Sequence, residues 1–240
     1  MEKNPDIQFR SPEEIKLYQE ARLTETLVYL QAHSRFYQQM FKEHSIDITR
    51  TKTDLQLHNS EFICVDPDDI IDYVTTSGTL GDPVTFVLTS KDLDRLAYNE
   101  YLSFNTAGCS RHDILQLMTT IDRRFMAGLA YYLGARELGM GVARVGNGIP
   151  ELQWDTIHRI HPTCGMVVPS FLIKLIEFAE KNQIDHNTCS MKKCVCIGEA
   201  LRNPDFTLNT LGQRISEKWP SLQLYSTYAS TEMQSSFTEC

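Results

Sequence analysis

From Ile114 to Tyr225, short β-type runs alternate with amphipathic stretches of helical length. Ile114–Met118, Gly141–Val145, Gly165–Val168, Cys194–Ile197 and Leu222–Tyr225 read as strands. Between them Phe125–Leu138, Ile149–Ile160, Phe171–Asn182 and Pro204–Lys218 read as helices. Strands separated by helices of this length need crossover connections, which give a mostly parallel sheet flanked by helices. The expected fold class is therefore α/β. Sheets of this kind bind ligands in loops at the carboxyl ends of their strands. Upstream, Ile70–Val74 and Val84–Thr89 form another pair of β-type runs, and Ser90 can cap a helix through about Ala107. Ser11-Pro12-Glu13-Glu14 joins an N-cap serine, proline at the first helical position and glutamate three residues after the cap. It predicts a long amphipathic helix to about His33 carrying Ile15, Tyr18, Leu23, Leu27 and Leu30, then a shorter one over Arg35–His44. Residues 46–67 read as loop and short elements. The organisation is a helical region over 1–68 and an α/β region over 69–240.

The 240 residues are 42% hydrophobic and 22% charged, the balance of an ordinary globular protein with length enough for a real core. A net charge of −8 argues against a broad nucleic-acid surface. No apolar run approaches the roughly 18–20 residues of a membrane helix, and Met1–Asp6 lacks a signal-peptide core. The expectation is a cytoplasmic protein without nucleic-acid or membrane partners. Seven cysteines without framework spacing read as reduced thiols. Cys194 and Cys196 would share one side of a strand and offer half a metal site. No second pair has a suitable spacing, so buried strand cysteines are the reading preferred.

Thr75-Thr76-Ser77-Gly78-Thr79-Leu80-Gly81-Asp82-Pro83 lies between the two upstream β-type runs. Its hydroxyls and bare amides can donate to anionic oxygens, and its glycines allow close backbone approach. It is equally good turn chemistry for a hairpin. A Walker loop is excluded, because Asp82 rather than Lys follows Gly81; a dinucleotide fingerprint is excluded by the glycine spacing. Farther on, two predicted strands run into Gly198-Glu199-Ala200 and Ser226-Thr227-Tyr228-Ala229-Ser230-Thr231-Glu232. Each offers small residues and a carboxylate, and the second adds an aromatic ring. Together they make a plausible purine platform beside a metal-binding acid.

These three segments, in this order, resemble the motifs of the adenylate-forming superfamily. Its phosphate loop runs Ser/Thr-Ser-Gly-Thr-Thr-Gly-x-Pro, and a Tyr-Gly-x-Thr/Ser-Glu motif lies downstream of a Gly-Glu-type segment. Phe125-Met126-Ala127-Gly128-Leu129, Gly134–Gly139 and Val168-Pro169-Ser170-Phe171 are similar to the phenylacetate–CoA ligase branch specifically. That branch commonly lacks the lysine that Val84 replaces, while Leu80 stands where a second threonine is usual. The resemblance runs from about Ser11 to the last residue. It implies part of the large N-terminal domain of an adenylate-forming enzyme, with 69–240 as a nucleotide-binding α/β subdomain.

The resemblance also implies roles. Thr76, Ser77, Gly78, Thr79 and Gly81 would hold the ATP β- and γ-phosphates. Glu232 would hold Mg²⁺ and Thr231 would reach the α-phosphate. Glu199, Ala200, Ser226, Thr227 and Tyr228 would surround adenine, Tyr228 by stacking. Phe125, Gly128 and Gly198 would border an acyl or aryl pocket, Phe125 being equally readable as a core aromatic. Arg123 and Arg124 read as surface charges, either of which could meet a phosphate. The implied activity is that of an acyl-CoA ligase. A small carboxylic acid is activated with ATP to an acyl-adenylate and passed to CoA, giving AMP and pyrophosphate. By analogy with the branch the protein would form a homodimer. The family's ribose-binding Asp, hinge and catalytic Lys lie downstream of the Tyr-x-x-Thr-Glu motif, so the chain reads as about the first half of such a ligase, incomplete at its C-terminus. Two other readings stay open: a catalytically incomplete nucleotide- or acyl-adenylate-binding paralogue, and an adenylating enzyme that loads a carrier protein.

Overall fold

The first helix, α1 (Pro12–His33), begins where the capping motif puts it. The Ser11 hydroxyl accepts from the Glu14 amide at 3.2 Å, and the Glu14 carboxylate accepts from the Ser11 amide at 3.0 Å. The computed structural model describes residues 6–42, 49–76 and 81–239, and the chain divides into two units, Met1–Lys91 and Asp92–Cys240. In the first unit, α1 keeps Ile15, Tyr18, Leu27 and Leu30 half-buried and leaves Leu23 exposed. Ser34, fully buried, links α1 to α2 (Arg35–Lys42): its hydroxyl receives the Tyr37 amide and donates to the Glu61 carbonyl. Phe36 stacks on Phe62 with ring centres 4.2 Å apart. A second capping box, Thr51 with Asp54, starts α3 (Lys52–Leu57). Strands β1 (Asp72–Thr75) and β2 (Thr85–Leu88) pair with each other as a two-stranded antiparallel sheet, with Thr75 opposite Thr85. The hairpin lies between the sequence-based boundary at 68/69 and the division after Lys91.

The second unit is built on a six-stranded sheet in the order β4-β3-β5-β6-β7-β8. After α4 (Ser90–Thr106) come β3 (Ile114–Leu117), α5 (Met126–Leu138), β4 (Gly141–Arg144), α6 (Pro150–Ile160) and β5 (Cys164–Val167). Then follow α7 (Pro169–Lys181), β6 (Lys193–Cys196), α8 (Thr210–Lys218), β7 (Gln223–Ser230) and β8 (Ser235–Thr238). Every pairing from β4 through β7 is parallel; β8 alone runs antiparallel, beside β7. The period-two alternation of side chains sorts the sheet into two cores. Leu115, Leu117, Met166 and Val195 pack with Phe104 of α4 and Tyr131 and Ala135 of α5. Val167, Cys194 and Cys196 pack instead with Trp154 of α6, Leu172 and Ile176 of α7, and Ile215 of α8. Each fully buried Leu or Ile in such a layer contributes about 1.5–3 kcal/mol. Cys194 and Cys196 do share one side, and that side is core; the six described cysteines are all free thiols.

Two predicted elements are corrected. The helix expected from Pro204 starts only at Thr210, capped by Asn209, whose side chain accepts from the Gly212 amide at 2.9 Å. The preceding residues form a tight loop closed by a bridge between Arg202 and Leu208. The segment from Ser226, expected as loop beyond a strand ending at Tyr225, continues as strand to Ser230, because β8 folds back and pairs with it.

Candidate functional site

Within the first unit Thr76 closes the hairpin. Its amide donates to the Val84 carbonyl and its hydroxyl accepts from the Val84 amide, both at 3.0 Å, and the residue is buried. Ser77, Gly78, Thr79 and Leu80 lie outside the described residues. Gly81 has φ +116°, a conformation open to glycine and strained for other residues. The returning arm is braced from α3 and the turn after it: Gln56 donates to the Asp82 carbonyl at 2.6 Å, and Asn59 pairs with both backbone groups of Thr85. The described residues on either side of this stretch thus form the hairpin, with Thr76 paired to Val84 across it.

In the second unit, Gly198 turns the chain beyond β6 with φ +79°. Helix α7 lacks a cap of its own, since its N-cap residue is Val168 and Pro169 follows. Glu199 supplies one from a separate loop: its carboxylate accepts from the Ser170 amide at 2.7 Å and the Ser170 hydroxyl at 2.9 Å. A negative charge at this position also complements the helix dipole. The Ala200 carbonyl accepts from Asn209 at 2.7 Å. Glu199 and Ala200 are therefore engaged in holding this segment in place.

The β7–β8 hairpin carries the remaining motif. Thr227 is buried, its hydroxyl bonded to Thr238 and to the Phe237 carbonyl, whereas Tyr228 on the opposite side is 68% exposed. Tyr228 stands opposite Phe237, itself largely exposed, so an aromatic face is open to a ligand. The Ser226 amide donates to the Glu239 carboxylate at 2.7 Å, and Arg202 grips that carboxylate with two nitrogens. Thr231 and Glu232 occupy the turn between the strands. Glu232 is exposed and accepts from the Ser230 hydroxyl at 2.8 Å. Helix α4 fastens this turn: Arg95 donates to the Gln234 carbonyl and side-chain oxygen, and Asn99 takes the Ser236 amide at 2.7 Å. The Ser236 hydroxyl reaches Glu100, whose carboxyl is pushed up to about 7 by burial. None of these buttresses is legible in the sequence. Serines and an arginine more than a hundred residues apart carry no local signal of their pairing.

Phe125 is the residue before α5 and is partly exposed. Gly128 does not face open space. A Cβ there would stand 1.8 Å from the Thr120 carbonyl oxygen, so the glycine lets α5 press against the backbone of residues 120–121. Among the described residues no three His, Cys, Asp or Glu side chains are grouped to hold a metal ion. Glu232 still suits Mg²⁺, which is commonly held by one or two carboxylates together with substrate phosphates rather than by a protein cage.

A family model described as AMP-binding enzyme matches residues 10–239. The chain belongs to the AMP-binding enzyme family. As a member it is 28% identical over 202 residues to the phenylacetate-coenzyme A ligase of Escherichia coli (strain K12), covering 78% of this chain and 46% of that protein. It is 26% identical over 205 residues to the phenylacetate-coenzyme A ligase of Thermus thermophilus, with 80% and 46% covered. The chain spans about half the length of these curated relatives. Its fold is similar to that of a 2-hydroxyisobutyryl-CoA ligase solved in an open conformation with 2-HIB-AMP and CoA, at a TM-score of 0.83 and 19% identity. That match covers 96% of this chain and 57% of the other. The α/β fold of this family member, a mostly parallel sheet between helices, is the one expected. Among the described residues no helix is long and apolar enough to cross a membrane.

Proposed function

We propose that this AMP-binding enzyme chain is the nucleotide- and acid-binding part of an ATP-dependent acid–thiol ligase acting on an aryl or acyl carboxylic acid in the cytoplasm. The observation that carries the reading is the β7–β8 hairpin, which presents an open tyrosine ring and, at its turn, a threonine followed by an exposed carboxylate. In the first half-reaction the substrate carboxylate attacks the α-phosphorus of ATP, and pyrophosphate leaves as the acyl-adenylate forms. In the second, the thiol of CoA attacks the acyl carbon and AMP leaves. Neither step needs a protein nucleophile; both need fixed charge and orientation.

The Tyr228 ring stacks on adenine. Ser226 and Thr227 act by fixing β7, and Glu199 and Ala200 border the base while Glu199 caps α7. Thr231 donates to the α-phosphate; Ser77, Gly78, Thr79 and Gly81 supply hydroxyl and amide donors to the β- and γ-phosphates, and Thr76 acts by closing the hairpin at the start of that loop. Glu232 holds Mg²⁺, which when bound offsets the charge that builds on the phosphates. Phe125 and Gly198 border the acid, and Gly128 shapes that border by bringing α5 against residues 120–121.

The test is carboxylate-dependent exchange of pyrophosphate into ATP by the full-length protein, with Glu232→Gln expected to abolish it in a folded enzyme. Full activity in that variant refutes the metal role; no exchange with any of a panel of aryl and acyl acids refutes the ligase reading. Leu80, which removes one hydroxyl from the phosphate loop, favours a second reading, a nucleotide-binding paralogue without turnover. ATP binding by calorimetry without exchange would select it. Comparing CoA with a carrier protein as acceptor separates the two thiol partners, and sedimentation tests the homodimer.

A further inference from the structure

The carboxyl ends of β3 and β4 open onto a cleft of about 500 Å³ lined by residues 119–123 and 144–147. Its lining holds two guanidinium groups, Arg123 and Arg144, against a single carboxylate, Asp122. Asp122 offsets them weakly: it stands 4.0 Å from Arg123, both side chains are largely exposed, and it also receives the Thr120 hydroxyl. A local excess of positive charge in a chain of net charge −8 marks this cleft as suited to an anion. Arg144 lies over the Tyr132 ring, 5.7 Å from its centre, which limits the directions its guanidinium can take.

Both walls are built. On the β4 side, Gly146 and Gly148 have φ +78° and +76°, and Ile149 follows at +47°. Gln153 donates to the Gly146 and Gly148 carbonyls at 2.9 and 3.1 Å. The oxygens that would repel an anion are thereby tied back to α6. Gln153 is fully buried, and its own side-chain oxygen receives Gln116 of β3 at 2.7 Å. On the β3 side, Arg123 and Arg124 both have φ +59°, a conformation rare for non-glycine residues and costly to hold twice in succession. The close approach of Gly128 to Thr120 fixes the backbone immediately before them.

We propose that this cleft binds a phosphate group of the thiol acceptor through Arg123 and Arg144. The inference rests on the ligase reading above and names a subsite for its second half-reaction. Planar guanidinium groups match phosphate oxygens in pairs and stay charged at any working pH. The cleft is a separate subsite from the adenine platform, because β5 and β6 lie between β3 and β7. At the usual strand spacing that places it about 14 Å along the sheet from Tyr228, a span suited to a long flexible arm ending in a thiol. Free CoA and a carrier-borne phosphopantetheine arm both carry a phosphate ester of this kind, and CoA carries further phosphates at its nucleotide end.

The experiment uses the full-length protein with Arg123→Gln, Arg144→Gln and both together, and Arg159→Gln on the exposed side of α6 as a charge control. The expected result is a rise of about tenfold in KM for CoA per arginine removed, the usual effect of losing one charge-assisted bond. Pyrophosphate exchange, KM for unphosphorylated pantetheine and every parameter of the control should stay unchanged. A matching loss with 4′-phosphopantetheine assigns the bound phosphate to the shared arm; a loss with CoA alone assigns it to the nucleotide end. Unchanged KM for CoA in the double variant, or an equal rise for pantetheine, overturns the proposal. If the wild-type protein shows no exchange, the ligase reading falls, and calorimetric CoA binding alone decides. Weakened binding in the double variant upholds the cleft and equal binding overturns it.

Discussion

Replacing Glu100 by Gln should remove a fall in stability that the wild-type protein undergoes between about pH 4.5 and pH 7. Glu100 is 3% exposed, and its carboxylate accepts from the Ser236 hydroxyl at 2.9 Å. Burial raises its carboxyl from an ordinary 4.5 to about 7, and hydrogen bonds from Ser236 and Ser103 offset only part of that. Below pH 4.5 both folded and unfolded chains hold the proton, so this group makes stability independent of pH. Between 4.5 and 7 the folded chain keeps the proton that the unfolded chain has released, and stability falls as pH rises. At 1.36 kcal/mol per unit over about 2.5 units the loss is about 3 kcal/mol, levelling above pH 7. Glutamine copies the neutral acid in shape and retains an acceptor for Ser236. The variant should match the wild type near pH 4.5 and exceed it by about 3 kcal/mol at pH 8. Urea denaturation followed by the fluorescence of Trp154 and Trp219, at intervals from pH 4.5 to 8.5, measures the difference. Contributions of all other titrating groups cancel in it. A difference that stays constant across this range, or that narrows as pH rises, would refute the reasoning.

Glu199→Ala removes both acceptors from the first turn of α7 and should cost about 1 kcal/mol, as loss of an N-cap does; an unshifted denaturation midpoint would count against the capping role. Gly134→Ala places a Cβ 2.3 Å from that of Glu100 and 2.7 Å from its carbonyl carbon. The gain in helix propensity is about 1 kcal/mol, and overpacking of about 1–3 kcal/mol should outweigh it, so a stabilised variant would be the contrary result. Arg95→Ala should raise amide exchange across residues 231–236 about tenfold by releasing Gln234, while leaving β3 and β5 unaffected. Equal exchange in both proteins would show that α4 does not fasten the turn.

The sequence is most legible where structure is local. Ser11, Pro12 and Glu14 bound the start of α1 because a capping box is closed within four residues. Pro204 misleads because proline opens turns as readily as helices. Asn209 is the true cap, and the Arg202–Leu208 bridge fills the interval. The length of β7 is hidden because Ser226–Ser230 become strand only through pairing with β8. The candidate site shows the same division. The identities of Tyr228 and Glu232 can be read as a motif, and so can their order after the Thr75–Pro83 loop. That Glu199 caps α7, that Thr76 closes the hairpin, and that Gly128 meets a backbone oxygen depends on partners 29, 8 and 8 residues away. The cleft at Arg144 carries one local signal, Gly-Asn-Gly directly after a strand, but the guanidinium it faces comes from the loop after β3 and has no mark in that tripeptide.

Gln116, itself fully buried, lies between Leu115 and Leu117 in β3, where a leucine would fit the surrounding chemistry better. Its amide holds Gln153, and Gln153 holds the two carbonyls of a surface turn. Two glutamines thus hand a position outward from the sheet interior, so the shape of that turn is inherited from a side chain no ligand can reach. Variation at Gln116 should accordingly sort relatives by what they bind at the turn, and surveys of specificity confined to exposed positions would overlook it.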